Sequence, residues 1–345
     1  MDWAKGSERI IDIDDCDPSK GEVCWAPVKS IWIGSMTLTA LTLGPMLFSW
    51  SAFGVFILLS TVTLCAGHSV GMHRRLIHTS FSCPLWVEYA LVYAGVLVGM
   101  AGPFGMMRQH DLRDWAQRRS HCHDYLCHRR GFWQDGFWQL HCDLRLARPP
   151  GFQPEPRLVD DPVYAWMERT WMWQQLPLAL LLYALGGWNW VVWGVAARVS
   201  VSVTGHWLVG HFAHRQGPMR WRVSDAGVQG HDVPIAALLS MGESWHNNHH
   251  AFPGSARLGL HEDQPDPGWW FILGLERLGL AWDIKTPDTL PARPALVRLP
   301  NNDGGCPACR GVLRLWRRRP AFVRAAAHGD DGSHVRGWRI RAAPA

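Results

Sequence analysis

The amino-acid sequence predicts an all-α integral-membrane protein whose apolar helices cross the bilayer in two pairs. Two long blocks without charge, a low overall charge content and an excess of tryptophan and histidine lead to this prediction. Only 18% of the 345 residues are charged, against about a quarter in soluble domains, and the chain contains 22 Trp and 18 His. Apolar and polar stretches must therefore be segregated along the chain.

The first uncharged block covers residues 31–67. It is too long for one crossing and suits two crossings of roughly 18 to 20 residues each. A Gly-Pro pair marks the expected break. We therefore predict spans at about residues 31–48 and 51–67.

The second block covers residues 170–209 and contains one charged residue, Arg198. A Gly-Gly pair divides it, which predicts spans at about residues 170–187 and 188–209. An intramembrane charge is a functional candidate by default. The alternative is that the helix extends beyond the lipid and Arg198 reaches the interface; both interpretations stay open.

A fifth apolar segment, residues 89–107, is long enough to span, but it lies between two histidine-bearing stretches. A single crossing would place those stretches on opposite sides of the membrane. We therefore predict that this segment is interfacial or re-entrant.

The remaining stretches are polar. Residues 1–29 are too acidic to be a secretory signal and are predicted to form an N-terminal cytosolic segment. Residues 286–345 are rich in Arg, Pro and Ala and are predicted to form a mobile tail. Eight arginines between residues 74 and 130 indicate a cytoplasmic flank. No nucleic-acid reading motif accompanies them, so no nucleic-acid partner is expected.

Three histidines near residue 250 form the clearest metal-binding pattern. His246, His249 and His250 occur at positions i, i+3 and i+4, so on a helix they are expected to converge on one point. The two intervening asparagines are expected to fix the tautomers of the rings.

Other histidines also lie where apolar runs end. His73 and His78 are five residues apart and would lie on different faces of an ideal helix, so their assignment as ligands depends on their position after the second span. His110 follows the fifth apolar segment. Of the three histidines that end the fourth span, at least one is expected to be a ligand: His206, His211 and His214.

Seven or more imidazoles exceed the ligands of one zinc site and imply two metal ions. Zinc cannot change its redox state, so a histidine-bound pair of irons beside a membrane suggests oxygen chemistry on a lipid.

These motifs resemble those of the membrane fatty acid desaturases, specifically the acyl-CoA or Δ9 branch of bacterial type. The resemblance covers about residues 30–285. It consists of the H-x4-H box at His73, a second box at His110, and the Gly-Glu-x-x-His-x-x-His-His box that ends in His250 and is followed by Ala-Phe-Pro.

The resemblance implies four transmembrane helices in two hairpins and a cytosolic helical cap that carries the histidine boxes. It also implies a multi-pass protein of the bacterial inner membrane, with the boxes facing the cytoplasm. Arg130 and Trp133 resemble family residues near the substrate entrance. The iron ligands that the resemblance implies are His73, His78, His110, His214, His246, His249 and His250.

The implied reaction uses O2 and two electrons to insert a cis double bond into a long-chain fatty acyl group, either acyl-CoA or lipid-linked. The sequence contains no haem-binding, dinucleotide-binding or ferredoxin motif. Electrons are therefore expected from an external ferredoxin- or cytochrome-type carrier with an NAD(P)H reductase. Two alternatives stay open: a lipid or hydrocarbon hydroxylase on the same di-iron scaffold, and a non-catalytic membrane metal-binding protein.

The second box departs from the family pattern H-x-x-H-H, because the sequence reads His110-Asp111-Leu112-Arg113-Asp114. Asp114 could supply a carboxylate ligand, or His121 and His123 could replace the two missing imidazoles. The family asparagine that holds a metal-bound water aligns with Gly210.

Overall fold

The computed structural model describes residues 9–12 and 15–300, which are mostly helical. The helices are α1 (Pro27–Met46), α2 (Trp50–Val62), the π-helix π1 (Thr63–Ile77), α3 (Leu85–Val96), α4 (Pro103–Gln117), α5 (Phe132–His141), α6 (Pro156–Val159), α7 (Pro162–Thr170), α8 (Gln175–Val191), the π-helix π2 (Val192–Ala197), α9 (Arg198–Ala213), α10 (His246–Ala251) and α11 (Pro267–Arg277). The helical prediction is thus confirmed.

Three small antiparallel sheets were not predicted. Their strands are β1 (Ile10–Ile11), β2 (Asp17–Trp25), β3 (Cys142–Arg148), β4 (Gly151–Phe152), β5 (Trp221–Val223) and β6 (Leu296–Arg298). They pair as β1 with β4, β2 with β3, and β5 with β6. Each pairing joins segments far apart in the chain, so no local turn signal announces it.

The last sheet corrects the predicted tail boundary. Because β6 pairs with β5, with Leu296 opposite Val223, the first part of the segment 286–345 is attached to the folded domain. Residues 301–345 of the predicted tail lie outside the described residues.

The first apolar block forms two helices that meet at residues 47–49. α2 continues into π1 without a break, giving one helix, Trp50–Ile77, of 28 residues that is long and apolar enough to cross a membrane. Its surface is apolar and uncovered: Trp50 is 80% exposed and Leu58 62%. Such surface is costly in water, so it indicates an apolar partner.

The second apolar block reverses direction at Gly187, as the Gly-Gly pair predicts. Gly187 has φ 64° and ψ −160°, a conformation that glycine adopts without steric cost. A Cβ placed on Gly194 would lie 2.6 Å from Leu182 Cδ1, although twelve residues separate the two. The stretch Gln175–Ala213 is therefore two antiparallel limbs, and Leu185 on the first limb is 64% exposed.

Arg198 is fully buried and bonded within the protein, which contradicts the interpretation that it reaches the interface. Its Nε donates to Gly194 O at 2.7 Å and its Nη2 to Gln175 Oε1 at 2.6 Å. Its Nη1 donates to Leu97 O. The guanidinium therefore ties α9 to the ends of α3 and α8.

The fifth apolar segment is divided, so it provides no continuous helix of spanning length. α3 ends at Val96, Gly99 has φ 84°, and α4 begins at Pro103. α3 packs against π1 at two glycines: a Cβ on Gly67 would lie 2.4 Å from the backbone of Ala94, and one on Gly71 would lie 2.5 Å from that of Leu91. This close contact fixes π1 against α3.

We predict that Gly67→Ala destabilises the protein by about 2 kcal/mol, because a methyl group cannot fit against a packed backbone. Gly54→Ala is the matched control on the same apolar helix, since nothing lies within 4 Å of the Cβ position there. Thermal unfolding in detergent should show a lower midpoint for Gly67→Ala only. Equal midpoints for the two variants would contradict the close contact.

Candidate metal centre

Seven histidines from four parts of the chain form two adjacent clusters. Within each cluster, one ligand nitrogen per residue lies within 4.8 Å of the others. The first cluster is His73, His78, His110 and His249, and the second cluster is His214, His246 and His250. The structure thus brings together all seven histidines that the sequence singles out as ligands.

The π-helix explains how His73 and His78 share a site despite their five-residue spacing. A π-helix closes hydrogen bonds between residues five apart, and His78 N donates to His73 O at 3.0 Å. The two ring centroids are consequently 4.7 Å apart. The prediction that the pair would lie on different faces holds only for an ideal α-helix.

α10 divides its histidines between the clusters, so the prediction that three imidazoles converge on one point is wrong. His246 and His250 belong to the second cluster and His249 to the first. Consecutive residues on a helix point about 100° apart, which directs His249 and His250 to different clusters. The ring centroids of His249 and His250 are 5.9 Å apart, so the two clusters adjoin.

Of the three histidines that end α9, only His214 joins a cluster. Its Nδ1 donates to Gly210 O at 2.7 Å, which leaves Nε2 as the free acceptor. That Nε2 lies 3.1 Å from His246 Nε2. His211 contacts Asp135 instead, and the ring of His206 lies 5.0 Å from that of His68.

Carboxylates orient the rings of the first cluster. His73 Nδ1 lies 2.6 Å from Glu243 Oε2, and His110 Nδ1 lies 3.3 Å from Asp111 Oδ1. A carboxylate at Nδ1 keeps the proton there and leaves the lone pair of Nε2 available to a metal ion. The sequence motif contained Glu243 but gave no role for it, and Asp111 was not recognised as an orienting residue.

Five of the clustered imidazoles are held in the neutral form that binds metal. Burial lowers the pKa of His78, His214 and His250 well below the ordinary value. Burial also lowers the pKa of His246 and His249 to about 3. His110 differs: burial lowers its pKa, but the carboxylates of Asp114 and Asp111 outweigh burial and raise it. Neutral rings are the ligand species, so these five rings are competent at pH 7.

Facing ring nitrogens provide a test of whether a cation fits. His78 Nε2 lies 3.3 Å from His110 Nε2, and His250 Nε2 lies 3.0 Å from His246 Nε2. Where both Nδ1 atoms carry the proton, the two Nε2 lone pairs face each other and repel. A bound cation removes this repulsion, so the donor set fits two metal ions ligated by nitrogen.

Comparison with known proteins gives the family. No protein-family profile matches the chain. An sn-1 stearoyl-lipid 9-desaturase of Anabaena variabilis is 36% identical over 270 residues, covering 74% of this chain and 94% of that protein. The chain belongs to the membrane fatty acid desaturase family.

Further members resemble the chain over a similar extent. An sn-2 palmitoyl-lipid 9-desaturase of Nostoc sp. (strain 36) is 34% identical over 74% of this chain and 88% of its own length. An acyl-CoA 5-desaturase of Anemone leveillei is 33% identical over 76% of this chain and 80% of its own length.

In this member of the family, the two asparagines of the third box bond backbone groups, so the prediction that they fix ring tautomers is wrong. Asn247 Nδ2 donates to Trp221 O at 2.7 Å and to Gly230 O at 2.8 Å. Asn248 Nδ2 donates to Leu258 O at 2.8 Å. The asparagines thus attach α10 to the surrounding loops and position its histidines indirectly.

The altered second box contributes one histidine, and two charged residues stand in place of the other two expected histidines. Asp114 lies one helical turn after His110, contacts Arg118 Nη2 at 3.2 Å, and lines a cavity with His249 and His250. Burial raises the pKa of Asp114, but the positive charges of His110 and Arg118 outweigh it and hold the pKa below its ordinary value.

The other proposed replacements lie elsewhere. His121 is exposed, and the ring of His123 lies 6.1 Å from that of Trp138. His123 Nδ1 accepts a hydrogen bond from Tyr125 N at 3.2 Å. Of the sequence alternatives, only Asp114 is therefore near the clusters.

A third group of titratable residues is satisfied internally. One oxygen of the fully buried Asp135, Oδ2, accepts from His128 Nδ1 at 2.9 Å, Trp207 Nε1 at 2.8 Å and His211 Nδ1 at 2.7 Å. His128 Nε2 in turn accepts from Arg113 Nη1 at 2.6 Å. By their spacing, His128, Asp135 and His211 could also hold a metal ion. Because the Asp135 oxygen and both ring nitrogens of His128 are already paired within the protein, we interpret this group as a structural network. No sequence motif indicated Asp135.

The two expected substrate residues lie on the surface near α5. Trp133 is 85% exposed in the first turn of α5. Arg130 Nε lies 2.8 Å from Asp124 Oδ2, and its guanidinium lies 5.4 Å from the Trp138 ring centroid. Neither belongs to a histidine cluster, so a role in substrate binding stays a prediction.

We predict that Asp135→Ala lowers the free energy of unfolding by about 3 kcal/mol, because three buried N–H donors lose their acceptor. Asp143→Ala is the control, since that carboxylate is 61% exposed and its Oδ1 pairs with Lys29 Nζ at 3.2 Å. Denaturant unfolding in detergent measures both. A loss no larger in Asp135→Ala than in Asp143→Ala would contradict the network.

Proposed function

We propose that this protein catalyses the O2-dependent insertion of a cis double bond into a long-chain fatty acyl group, either lipid-linked or acyl-CoA. The observation that supports this proposal is the pair of adjacent histidine clusters beneath uncovered apolar helices. The relatives named above are desaturases of stearoyl-lipid, palmitoyl-lipid and acyl-CoA substrates.

Two irons would be held by the seven clustered imidazoles and would supply the oxygen activation needed to remove hydrogen from an unreactive methylene. The reaction balances when O2 takes two hydrogens from the acyl chain, with two electrons and two protons from outside, and leaves as two waters. Glu243 and Asp111 keep the rings of His73 and His110 in one tautomer. Burial of the clusters excludes water from the reacting carbon.

The geometry of the helices supports a membrane arrangement of four crossings in two hairpins. π1 and α9 both end in clustered histidines, and these meet at one end of the apolar helices. We place this end in the cytoplasm of a bacterial cell, at the inner membrane, because the segment from residue 74 to residue 130 carries eight arginines. Residues 30–285 form the desaturase domain, and residues 1–29 lie on the same cytoplasmic side.

Electrons would come from a ferredoxin- or cytochrome-type carrier with an NAD(P)H reductase. Arg130 and Trp133 are proposed to contact substrate at the surface of the cap. Hydroxylation of a lipid or hydrocarbon would use the same two clusters with the substrate chain bound in a different position. A non-catalytic metal-binding role would require only the clusters. The identity of the product separates these alternatives.

We predict that expression in a host without its own desaturase yields a new cis-unsaturated fatty acid, detected by mass spectrometry of cellular lipids. His249→Ala should abolish this product, because the ring contacts three other histidines of the first cluster. His121→Ala, at an exposed histidine, should retain it. If His249→Ala forms the product at the wild-type level, the ligand assignment is wrong. If the wild-type protein forms a hydroxylated lipid instead of an unsaturated one, the hydroxylase alternative replaces the desaturase proposal.

A further inference from the structure

The two clusters differ in their number of imidazoles and in the charges that surround them. The first contains four histidines and the second three. Different charged residues adjoin each cluster, and two of them, Arg113 and Asp114, stand where the usual second box has histidines.

Carboxylates lie beside the first cluster. Asp114 follows His110 by one helical turn, and Glu243 Oε2 lies 2.6 Å from His73 Nδ1. Asp114 is itself paired with Arg118, whose Nη2 lies 3.2 Å from its Oδ2. Two further cations, Arg74 and Arg9, also lie near, and both are paired to carboxylates.

Those pairings limit the effect of the two cations. Arg74 Nη2 lies 2.8 Å from Asp266 Oδ1. Arg9 lies 3.3 Å from Asp111 and 3.6 Å from Glu155. The surroundings of the first cluster therefore favour a divalent cation.

Cations lie beside the second cluster. Arg293 Nη1 donates to the carbonyl of His250 at 2.6 Å. The ring of His128 stacks on that of His214, with centroids 5.3 Å apart and planes inclined by 11°, and Arg113 is bonded to the edge of the His128 ring. Gly210 makes room for this stack, because a Cβ there would lie 3.3 Å from His128 Nε2.

Arg113 cannot move away from this position without losing several bonds. Its Nη1 donates to Leu126 O at 3.1 Å as well as to His128, and its Nη2 donates to Gln139 Oε1 at 3.0 Å. The nearest carboxylate of the network, Asp135, is bonded to the opposite nitrogen of the His128 ring. The guanidinium charge therefore stays fixed beside the second cluster, where it repels a metal ion.

We propose that the two clusters bind metal ions with unequal affinity, the first tightly and the second weakly, so that the ion of the second cluster exchanges readily. This inference rests on the proposed di-iron function. It assigns Arg113 and Asp114 as the residues that set the difference.

The test is a titration of the purified full-length chain in detergent, stripped with a chelator, with Co²⁺ alone. Visible absorption of the bound ion reports binding without any turnover. The wild type should bind two ions in two phases whose dissociation constants differ by about tenfold or more. His249→Ala should lose the tight phase, and His250→Ala the weak one.

Charge variants separate electrostatics from folding. Arg113→Gln should strengthen the weak phase by about tenfold, whereas Arg113→Lys, which retains the charge, should leave it weak. Asp114→Asn should weaken the tight phase by about tenfold. Arg119→Gln is the control, because that cation is 44% exposed and pairs with Asp12.

Two ions bound with equal affinity would overturn the inference, as would equal effects of Arg113→Gln and Arg113→Lys. Failure of this inference can be distinguished from failure of the proposed function. If the protein forms double bonds but binds both ions with equal affinity, only the inference is wrong. If it binds the two ions with unequal affinity but forms no double bond, only the proposed function is wrong.

Discussion

The two histidine clusters depend on buried imidazoles whose ring nitrogens are held facing one another. The Nε2 atoms approach to 3.0 to 3.3 Å in both clusters. Burial lowers the pKa of His246 to about 3 and that of His214 and His250 well below the ordinary value, whereas Asp114 and Asp111 raise that of His110. Two lone pairs that face each other at this distance repel, and either a shared proton or a bound cation satisfies them. His78 and His214 directly follow π1 and α9, so the clusters lie at the ends of apolar helices.

The organisation of the chain could be predicted where it follows from local patterns. Uncharged runs predicted the apolar helices, and the Gly-Gly pair predicted the reversal at Gly187, because both depend on composition and on one backbone conformation. The positions of histidines at the ends of apolar runs selected the seven residues that cluster. Their division into two groups was not predictable, because it depends on the π-helical turn at His73 and on the direction of each residue of α10.

Features made by distant contacts had no sequence signal. The small sheets, the bonds of Asn247 and the burial of Asp135 each join segments that only the tertiary fold brings together. Two departures from the family pattern also become related in the structure. The absent side chain at Gly210 leaves space for His128, and the ring of His128 accepts a hydrogen bond from Arg113, which occupies the position of an expected ligand. The absence of a side chain at Gly210 therefore allows His128 and Arg113 of the altered region to pack together.

The most direct test of the central claim is the metal itself. Protein purified after growth with iron should contain two iron ions per chain, and X-ray absorption at the iron edge should show nitrogen and oxygen neighbours without sulfur. This result follows if seven imidazoles form one dinuclear centre. Less than one iron per chain together with full zinc occupancy would contradict the account and favour a non-catalytic metal-binding protein.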